Sequence, residues 1–234
     1  MEIRWQTGPL RPQLGADEVD VWRADLAVGG DGVRELLSDR ERERAARFVR
    51  ARDGLCWAHA RGILRALLAR YVDADPRTLR FEKGAHGKPR LAAAASGRAA
   101  GADGRAAGLR FNLSHSGETA LVAVALGREV GVDVELPRRS VDHVAIARRI
   151  LGDEEAERLA ALDEPTRARE FLRAWVRWEA VLKCRGTGIG GADDPTAGPG
   201  PWTVELEMAL PAAAALAVER GPCTVRCWQW PVTG

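Results

Sequence analysis

Lysine is almost missing from this chain. Of 35 basic side chains only Lys83, Lys88 and Lys183 are lysine, and the rest are arginine. Together with abundant Ala and Gly, this reads as GC-rich coding that writes Arg wherever either cation serves. A position that keeps Lys marks a use for a compact, flexible ammonium rather than a planar fork. Long apolar runs are missing too. No stretch approaches the roughly 20 residues a membrane-spanning helix needs, and Met1-Glu2-Ile3-Arg4-Trp5 lacks the basic and apolar regions of a signal peptide. The expectation is a cytoplasmic protein with no membrane partner. Its four cysteines, Cys56, Cys184, Cys223 and Cys227, are then structural thiols, with no CxxC or neighbouring His to suggest zinc.

Net charge is equally uninformative by excess. A balance of +2 gives no general argument for nucleic acid, and the basic stretch from Arg40 to Arg52 lacks the aromatic platforms of a nucleic-acid binder. The chain contains no Gly-x-x-x-x-Gly-Lys-Ser/Thr loop and no Gly-x-Gly-x-x-Gly fingerprint, so ordinary nucleotide-binding folds are unsupported. It contains no Gly-x-Ser-x-Gly elbow. Ser114 and His115 are adjacent, which seldom yields a hydrolase pair.

What is present is a pair of acidic segments. In Val130-Gly131-Val132-Asp133-Val134-Glu135-Leu136 the valines alternate with carboxylates at period two, the pattern of a strand. Asp133 and Glu135 then project from one face, roughly 7 Å apart. Further along, Trp175-Val176-Arg177-Trp178-Glu179-Ala180-Val181-Leu182-Lys183 reads as a helix that puts Glu179 and Lys183 on one face. Two strand carboxylates and a helix carboxylate make a hard oxygen site suited to Mg²⁺, and a lysine one turn away suits a phosphate sharing that metal. Each segment alone reads equally as a solvated strand face or a surface helix pair.

The rest of the chain predicts short strands at Glu2 to Trp5 and Val19 to Leu26. A basic helix opens at Ser38, where Glu41 completes a capping box, and a second runs from Leu55 to Tyr71 with Ile63, Leu64, Leu67 and Leu68 on its apolar face. Residues Gly84 to Pro89 form a loop, and Ala92 to Gly108 an Ala/Gly-rich insertion. Thr119 to Leu126 and Val130 to Leu136 are expected to pair as an antiparallel hairpin around Gly127-Arg128-Glu129. Helices follow at Asp142 to Ile150, Glu154 to Leu162 and Arg167 to Lys183. A glycine-rich loop then spans Gly186 to Gly200. Strands at Trp202 to Leu210, Ala213 to Glu219 and Cys223 to Trp230 close the chain. The class is α+β, read as two similar pseudo-symmetric halves, 1–127 and 128–234, with the active site between them. In the basic stretch, Arg44, Arg47 and Arg52 are candidates for a terminal phosphate, because Arg offers bidentate donors.

Five segments in this order resemble one family. They are Phe48 with Ala51-Arg52-Asp53, then Gly87-Lys88-Pro89, then Phe111-Asn112-Leu113-Ser114-His115-Ser116-Gly117, then Val130 to Glu135, then Trp175 with Glu179-Ala180 and Lys183. The chain is similar to the 4′-phosphopantetheinyl transferases of the larger surfactin-synthetase-activating type. That resemblance implies transfer of 4′-phosphopantetheine from coenzyme A to a serine of an apo acyl or peptidyl carrier protein, with release of adenosine 3′,5′-bisphosphate. It implies Mg²⁺ on Asp133, Glu135 and Glu179, phosphate contacts from Lys183 and His115, and Ser114, Lys83 and Lys88 along the coenzyme A. Arg52 would lie near the 3′-phosphate, with Arg44 and Arg47 as further coenzyme A contacts. The catalytic group would be Glu179, Lys183 and Asp133, with Glu179 as candidate base. The N-terminal half would supply coenzyme A contacts and the C-terminal half the metal carboxylates and catalytic helix. A monomer is implied, because longer members fuse two half-length units. One departure stands out: the family usually has Lys before the helix glutamate, and here that position is Trp178. Arg177 or Arg185 are candidates to replace the lost cation. The alternative this raises is a coenzyme A or carrier-protein binding module without catalysis. The carrier is expected to dock on Leu136 to Ile150, where Arg138, Arg139, Arg148 and Arg149 surround Val141, Val144, Ala145 and Ile146.

Overall fold

The computed structural model describes residues 4–28, 31–84, 87–92, 108–137, 141–187, 200–208 and 211–231. Residues 93–107 of the expected insertion, 188–199 of the glycine-rich loop, and Arg138 and Arg139 lie outside them. Strands β1 (Trp5–Thr7) and β2 (Glu18–Asp25) lead through a 3₁₀ turn at Asp31–Leu36 to helices α1 (Asp39–Ala46) and α2 (Ala51–Val72). A small hairpin, β3 (Phe81–Lys83) with β4 (Pro89–Leu91), flanks the expected Gly84 to Pro89 loop. Then come β5 (Leu109–Ser116), β6 (Thr119–Leu126) and β7 (Val130–Glu135). Helices α3 (His143–Ile150), α4 (Asp153–Ala160) and α5 (Glu164–Arg185) precede β8 (Trp202–Glu205), β9 (Ala213–Val218) and β10 (Thr224–Gln229).

The mixture of helix and sheet is α+β, but one expected pairing is wrong. Strand β6 does not form a hairpin with β7. It pairs antiparallel with β5, through a turn at Gly117, and with β2 on its other side. Strand β7 starts a second sheet and pairs with β9. The first sheet runs β1-β10-β2-β6-β5 and the second β7-β9-β8. Both carry apolar residues on both faces, so period two alone did not say which strand neighbours which. Strand β10 enters the first sheet parallel to β1 and β2, so 127/128 is no boundary between the sheets.

The four layers follow from this double-sided burial. On one face of the first sheet Trp22, Ala24, Phe111, Val122 and Val124 pack on Ile63, Leu64, Leu67 and Leu68 of α2. On the other, Val19, Val21, Leu121 and Ala123 meet Val130, Val132 and Val134 of β7 and Leu216 and Val218 of β9. The outer face of the second sheet is made of small residues, Ala215 and Ala217, under Val176, Ala180 and Cys184 of α5. Small side chains let the helix come close. A Cβ on Gly131 would stand 2.0 Å from the Ala180 carbonyl oxygen. Helix α2 ends where Asp73 turns left-handed, φ 49°, and α5 ends at Gly186, φ 72°.

One buried carboxylate is paired with three donors across these layers. Asp20, fully buried, accepts from the Tyr71 hydroxyl, Trp228 Nε1 and Arg226 Nε. Burial of the Tyr71 hydroxyl beside that carboxylate raises its pKa far above the ordinary range. All four cysteines are free thiols. Burial pushes Cys184 up to about 11 and Cys227 up to about 12, which suits packing rather than reactivity.

Candidate active site

The edge strands β5 and β7 abut, and side chains of β5 serve the β7 edge. Asn112 Oδ1 accepts the Val132 N–H at 2.9 Å. Two and four residues on, the pattern repeats with carboxylates. Ser114 Oγ donates to Asp133 Oδ1 at 2.7 Å and Ser116 Oγ to Glu135 Oε2 at 2.8 Å, each pair 19 residues apart in sequence. Alternation along β5 puts Asn112, Ser114 and Ser116 on one face, and alternation along β7 does the same for Asp133 and Glu135. The valines between the carboxylates fill the inter-sheet core. The carboxylates therefore face α5, as the strand pattern predicts.

Helix α5 contributes the rest. Lys183 Nζ donates to Asp133 Oδ1 at 2.5 Å and to Ser114 Oγ at 3.0 Å. Asp133 is 3% exposed. Burial raises its pKa, against the Lys183 charge and the bonds from Lys183 and Ser114. Glu179, one turn before Lys183, is half-buried. Burial raises its pKa too; Lys183 opposes the shift, while the charges of Asp133 and Glu135 add to it. His115 has the opposite parity to Ser114 and is exposed. Although the residue as a whole is exposed, neighbouring atoms that shield its ring, then the Lys183 ammonium, lower its pKa, which favours the neutral ring with one N–H to donate.

The structure thus gathers Ser114, Asp133, Glu135, Glu179 and Lys183, with His115 beside them. Arg52 reaches the rim, where it bonds Glu118 in the β5–β6 turn at 2.5 Å. Arg44 instead lies over the Trp57 ring at 5.2 Å, and Arg47 pairs with Glu43 at 3.8 Å, both on the outer surface of α1 and α2. Lys83 is exposed at the end of β3. Lys88, expected along the coenzyme A, is engaged with protein groups. Its ammonium bonds Glu129 Oε2 at 2.7 Å, the Val130 carbonyl at 2.9 Å and the Cys184 carbonyl at 3.1 Å. With its side chain 8% exposed and three protein acceptors taken, it ties β4 to β7 and to the end of α5. Arg177 is no free replacement for the missing cation, since it pairs with Glu205 at 3.2 Å. Trp178 packs at a tilt against Trp175, centroids 5.5 Å apart, and Trp175 likewise against Phe171 at 6.0 Å.

The donor chemistry suits a divalent cation. Asp133 Oδ2 is buried with no hydrogen-bond partner, and Glu135 and Glu179 are near enough for their charges to act on one another. Among the described residues, however, no three His, Cys, Asp or Glu side chains are gathered around one point as ligands. The Lys183 ammonium holds the other Asp133 oxygen. Sequence reasoning named every member of the central group but gave no role to Asn112, Ser116 and Gly131, which stand in the segments that carry the resemblance, or to Glu129, read as part of a turn.

Buried Asp133, half-buried Glu135 and Glu179, and Lys183 meet at the seam of the two sheets and α5, and sequence comparison gives the family. The model of the 4′-phosphopantetheinyl transferase superfamily matches residues 129–224, and that of the 4′-phosphopantetheinyl transferase N-terminal region matches residues 31–126. The chain is 34% identical to the 4′-phosphopantetheinyl transferase HetI of Nostoc sp. over 83% of this chain and 79% of that one. It is 32% identical to slr0495 of Synechocystis sp. over 68% of this chain and 61% of that one. It is 29% identical to the human L-aminoadipate-semialdehyde dehydrogenase-phosphopantetheinyl transferase, over 66% of this chain and half of that one. The chain belongs to the 4′-phosphopantetheinyl transferase family and is a transferase. No helix among the described residues is long and apolar enough to cross a membrane.

Proposed function

We propose that this protein transfers 4′-phosphopantetheine from coenzyme A to a serine hydroxyl of an apo acyl or peptidyl carrier protein, in a Mg²⁺-dependent reaction that releases adenosine 3′,5′-bisphosphate. The observation that carries the reading is the Asp133–Lys183–Ser114 cluster with Glu135 and Glu179 at its edge. When bound, the metal would be held by Asp133, Glu135 and Glu179 and would neutralise charge on the pyrophosphate. Lys183 then presents an ammonium to the same phosphates. Its hydrogen bonds to Asp133 and Ser114 hold it in place. His115, neutral, offers a ring N–H. Glu179, one turn from Lys183 on the same helix, takes the serine proton directly or through water. Arg52 at the rim suits the 3′-phosphate. Arg44, Arg47 and Lys83 would meet coenzyme A only from the outer surface.

The two halves, 1–127 and 128–234, would be related units. Each presents a 22-residue helix, α2 or α5, to one sheet. Because β5, β7 and α5 come from one chain, the site needs no second copy, which favours a monomer. The carrier would dock on α3, where Arg148 and Arg149 are exposed. Beside it lies an apolar pocket lined by Leu136, Val141, Ile146, Phe171, Leu172 and Trp175, with Glu135 at its edge. Cations around apolar anchors suit an acidic helical partner. Trp178 favours the second reading, a binding module without catalysis.

Mass spectrometry of apo carrier protein incubated with coenzyme A, Mg²⁺ and enzyme decides. A carrier gaining the phosphopantetheine mass supports transfer; an unchanged carrier, across a panel of carrier types, would leave the binding module. Glu179→Gln is expected to lose at least as much transfer as Asp133→Ala; an unchanged rate excludes the base role. Val144→Asp with Arg148→Glu is expected to raise KM for carrier alone.

A further inference from the structure

Ser116 is built into the site in a way that no ligand contact requires. Its hydroxyl donates to Glu135 Oε2 at 2.8 Å and accepts the Leu136 N–H at 3.1 Å. One oxygen therefore grips both the side chain of Glu135 and the backbone just after it, using its single proton and a lone pair together. The residue that follows reinforces the grip. Gly117 has φ 57°, and a Cβ there would stand 2.7 Å from Leu136 Cδ1. The turn thus comes down onto Leu136 as closely as a glycine allows.

The turn is itself anchored. Leu26 N–H donates to the Glu118 carbonyl at 2.7 Å, and Arg52 holds the Glu118 carboxylate. The neighbouring pair behaves differently. Ser114 shares Asp133 with Lys183, so it belongs to a charged trio. Ser116 instead bonds the Glu135 carboxylate and the Leu136 N–H. It thus fixes one oxygen of Glu135 at the end of β7, where the strand stops and the chain turns toward α3.

We infer that Ser116 is a positioning residue: it orients the Glu135 carboxylate as a ligand for a divalent cation. The inference rests on the reading that Glu135 holds such an ion. Partners of this kind, bonded to a ligating carboxylate, commonly contribute 10- to 100-fold in metal affinity.

The test compares four proteins, wild type, Ser116→Ala, Ser116→Thr and Ser116→Val. Thr and Val have nearly the same shape and differ in the hydroxyl, so this pair decides even where the alanine variant folds poorly. Binding of Mn²⁺ is measured by electron paramagnetic resonance with coenzyme A present. The half-saturating Mg²⁺ concentration for transfer is measured in parallel. The expected result is Mn²⁺ affinity about 10-fold weaker in the alanine and valine variants, near wild type in the threonine variant. Half-saturating Mg²⁺ rises in step, while KM for coenzyme A at saturating Mg²⁺ stays put. Equal Mn²⁺ affinity in the threonine and valine variants overturns the inference, as does a wild type that binds no Mn²⁺. A wild type that binds Mn²⁺ but transfers nothing would instead strike the transferase reading, and the Thr/Val comparison would still decide the role of Ser116.

Discussion

Gly131 on β7 lies under Ala180 of α5 with no room for a methyl group: a Cβ would sit 2.0 Å from the Ala180 carbonyl oxygen and 2.3 Å from the Cys184 amide nitrogen. Both contacts are backbone, which cannot swing aside. This approach sets the distance between the strand that carries Asp133 and Glu135 and the helix that carries Glu179 and Lys183. Gly131→Ala is expected to push the helix off the strand, costing about 1–3 kcal/mol and lowering the thermal midpoint by several degrees. Transfer should fall by more than the stability loss explains. Gly32→Ala is the control, since nothing lies within 4 Å of a Cβ there. Wild-type melting and turnover in Gly131→Ala would mean the helix does not rest on this glycine.

Asp133 is costly to the fold as well as central to the site, because burial disfavours its charge. Asp133→Asn keeps the shape and removes that cost. It is expected to melt at or above the wild-type temperature while losing about 100-fold or more in kcat. A variant that keeps near-normal turnover at limiting Mg²⁺ would remove Asp133 from the reaction.

Lys183→Met leaves the Asp133 carboxylate without its ammonium, and transfer should fall with it. Lys183→Arg is expected to recover only part, since a planar guanidinium does not fit the point between Asp133 and Ser114 that one nitrogen now fills. Full activity in the arginine variant would end the argument from lysine scarcity at this position.

Lys88 and Lys183 differ in their protein partners. The acceptors of Lys88 are one carboxylate and two backbone carbonyls, so Lys88→Met strands buried oxygens. Glu129 keeps Arg90 and Arg110, so the expected loss is about 1–3 kcal/mol in urea unfolding, with KM for coenzyme A near wild type. A raised KM with unchanged stability would restore the nucleotide contact.

Glu41 gives the chain an acid-sensitive joint. Burial opposes its ionisation, but hydrogen bonds from Arg65 and the Arg61 charge outweigh it and lower its pKa from 4.5 to about 2. Because the folded value is the lower one, the contribution is complete above the unfolded pKa and is lost as pH falls from there through about 2. Its size is about 3 kcal/mol. Unfolding free energy should decline over that window, and Glu41→Gln should flatten the decline while lowering stability at pH 7. An unchanged profile would place the acid sensitivity elsewhere.

The sequence by itself determined the local elements and the chemistry they carry. Period two in Val130 to Glu135 put both acids on one strand face. Period 3.6 joined Glu179 to Lys183, and Ser38 with Glu41 marked the start of α1. These are short-range consequences of backbone geometry, visible in any window of a few residues. Only the tertiary structure decided which strands are neighbours. A sheet with apolar residues on both faces offers no polar side to orient it, so β6 and β7 read as a hairpin although they lie in separate sheets. Tertiary packing also separated the lysines. Lys88 and Lys183 are alike in sequence, but one lands where β7 begins and α5 ends, facing Glu129 and two main-chain carbonyls, and the other where a buried carboxylate and a serine converge. The roles of Ser116 and Gly131 are likewise products of proximity across the β5–β7 and β7–α5 seams. Long-range approach of that kind leaves no period in the sequence for a reader to find.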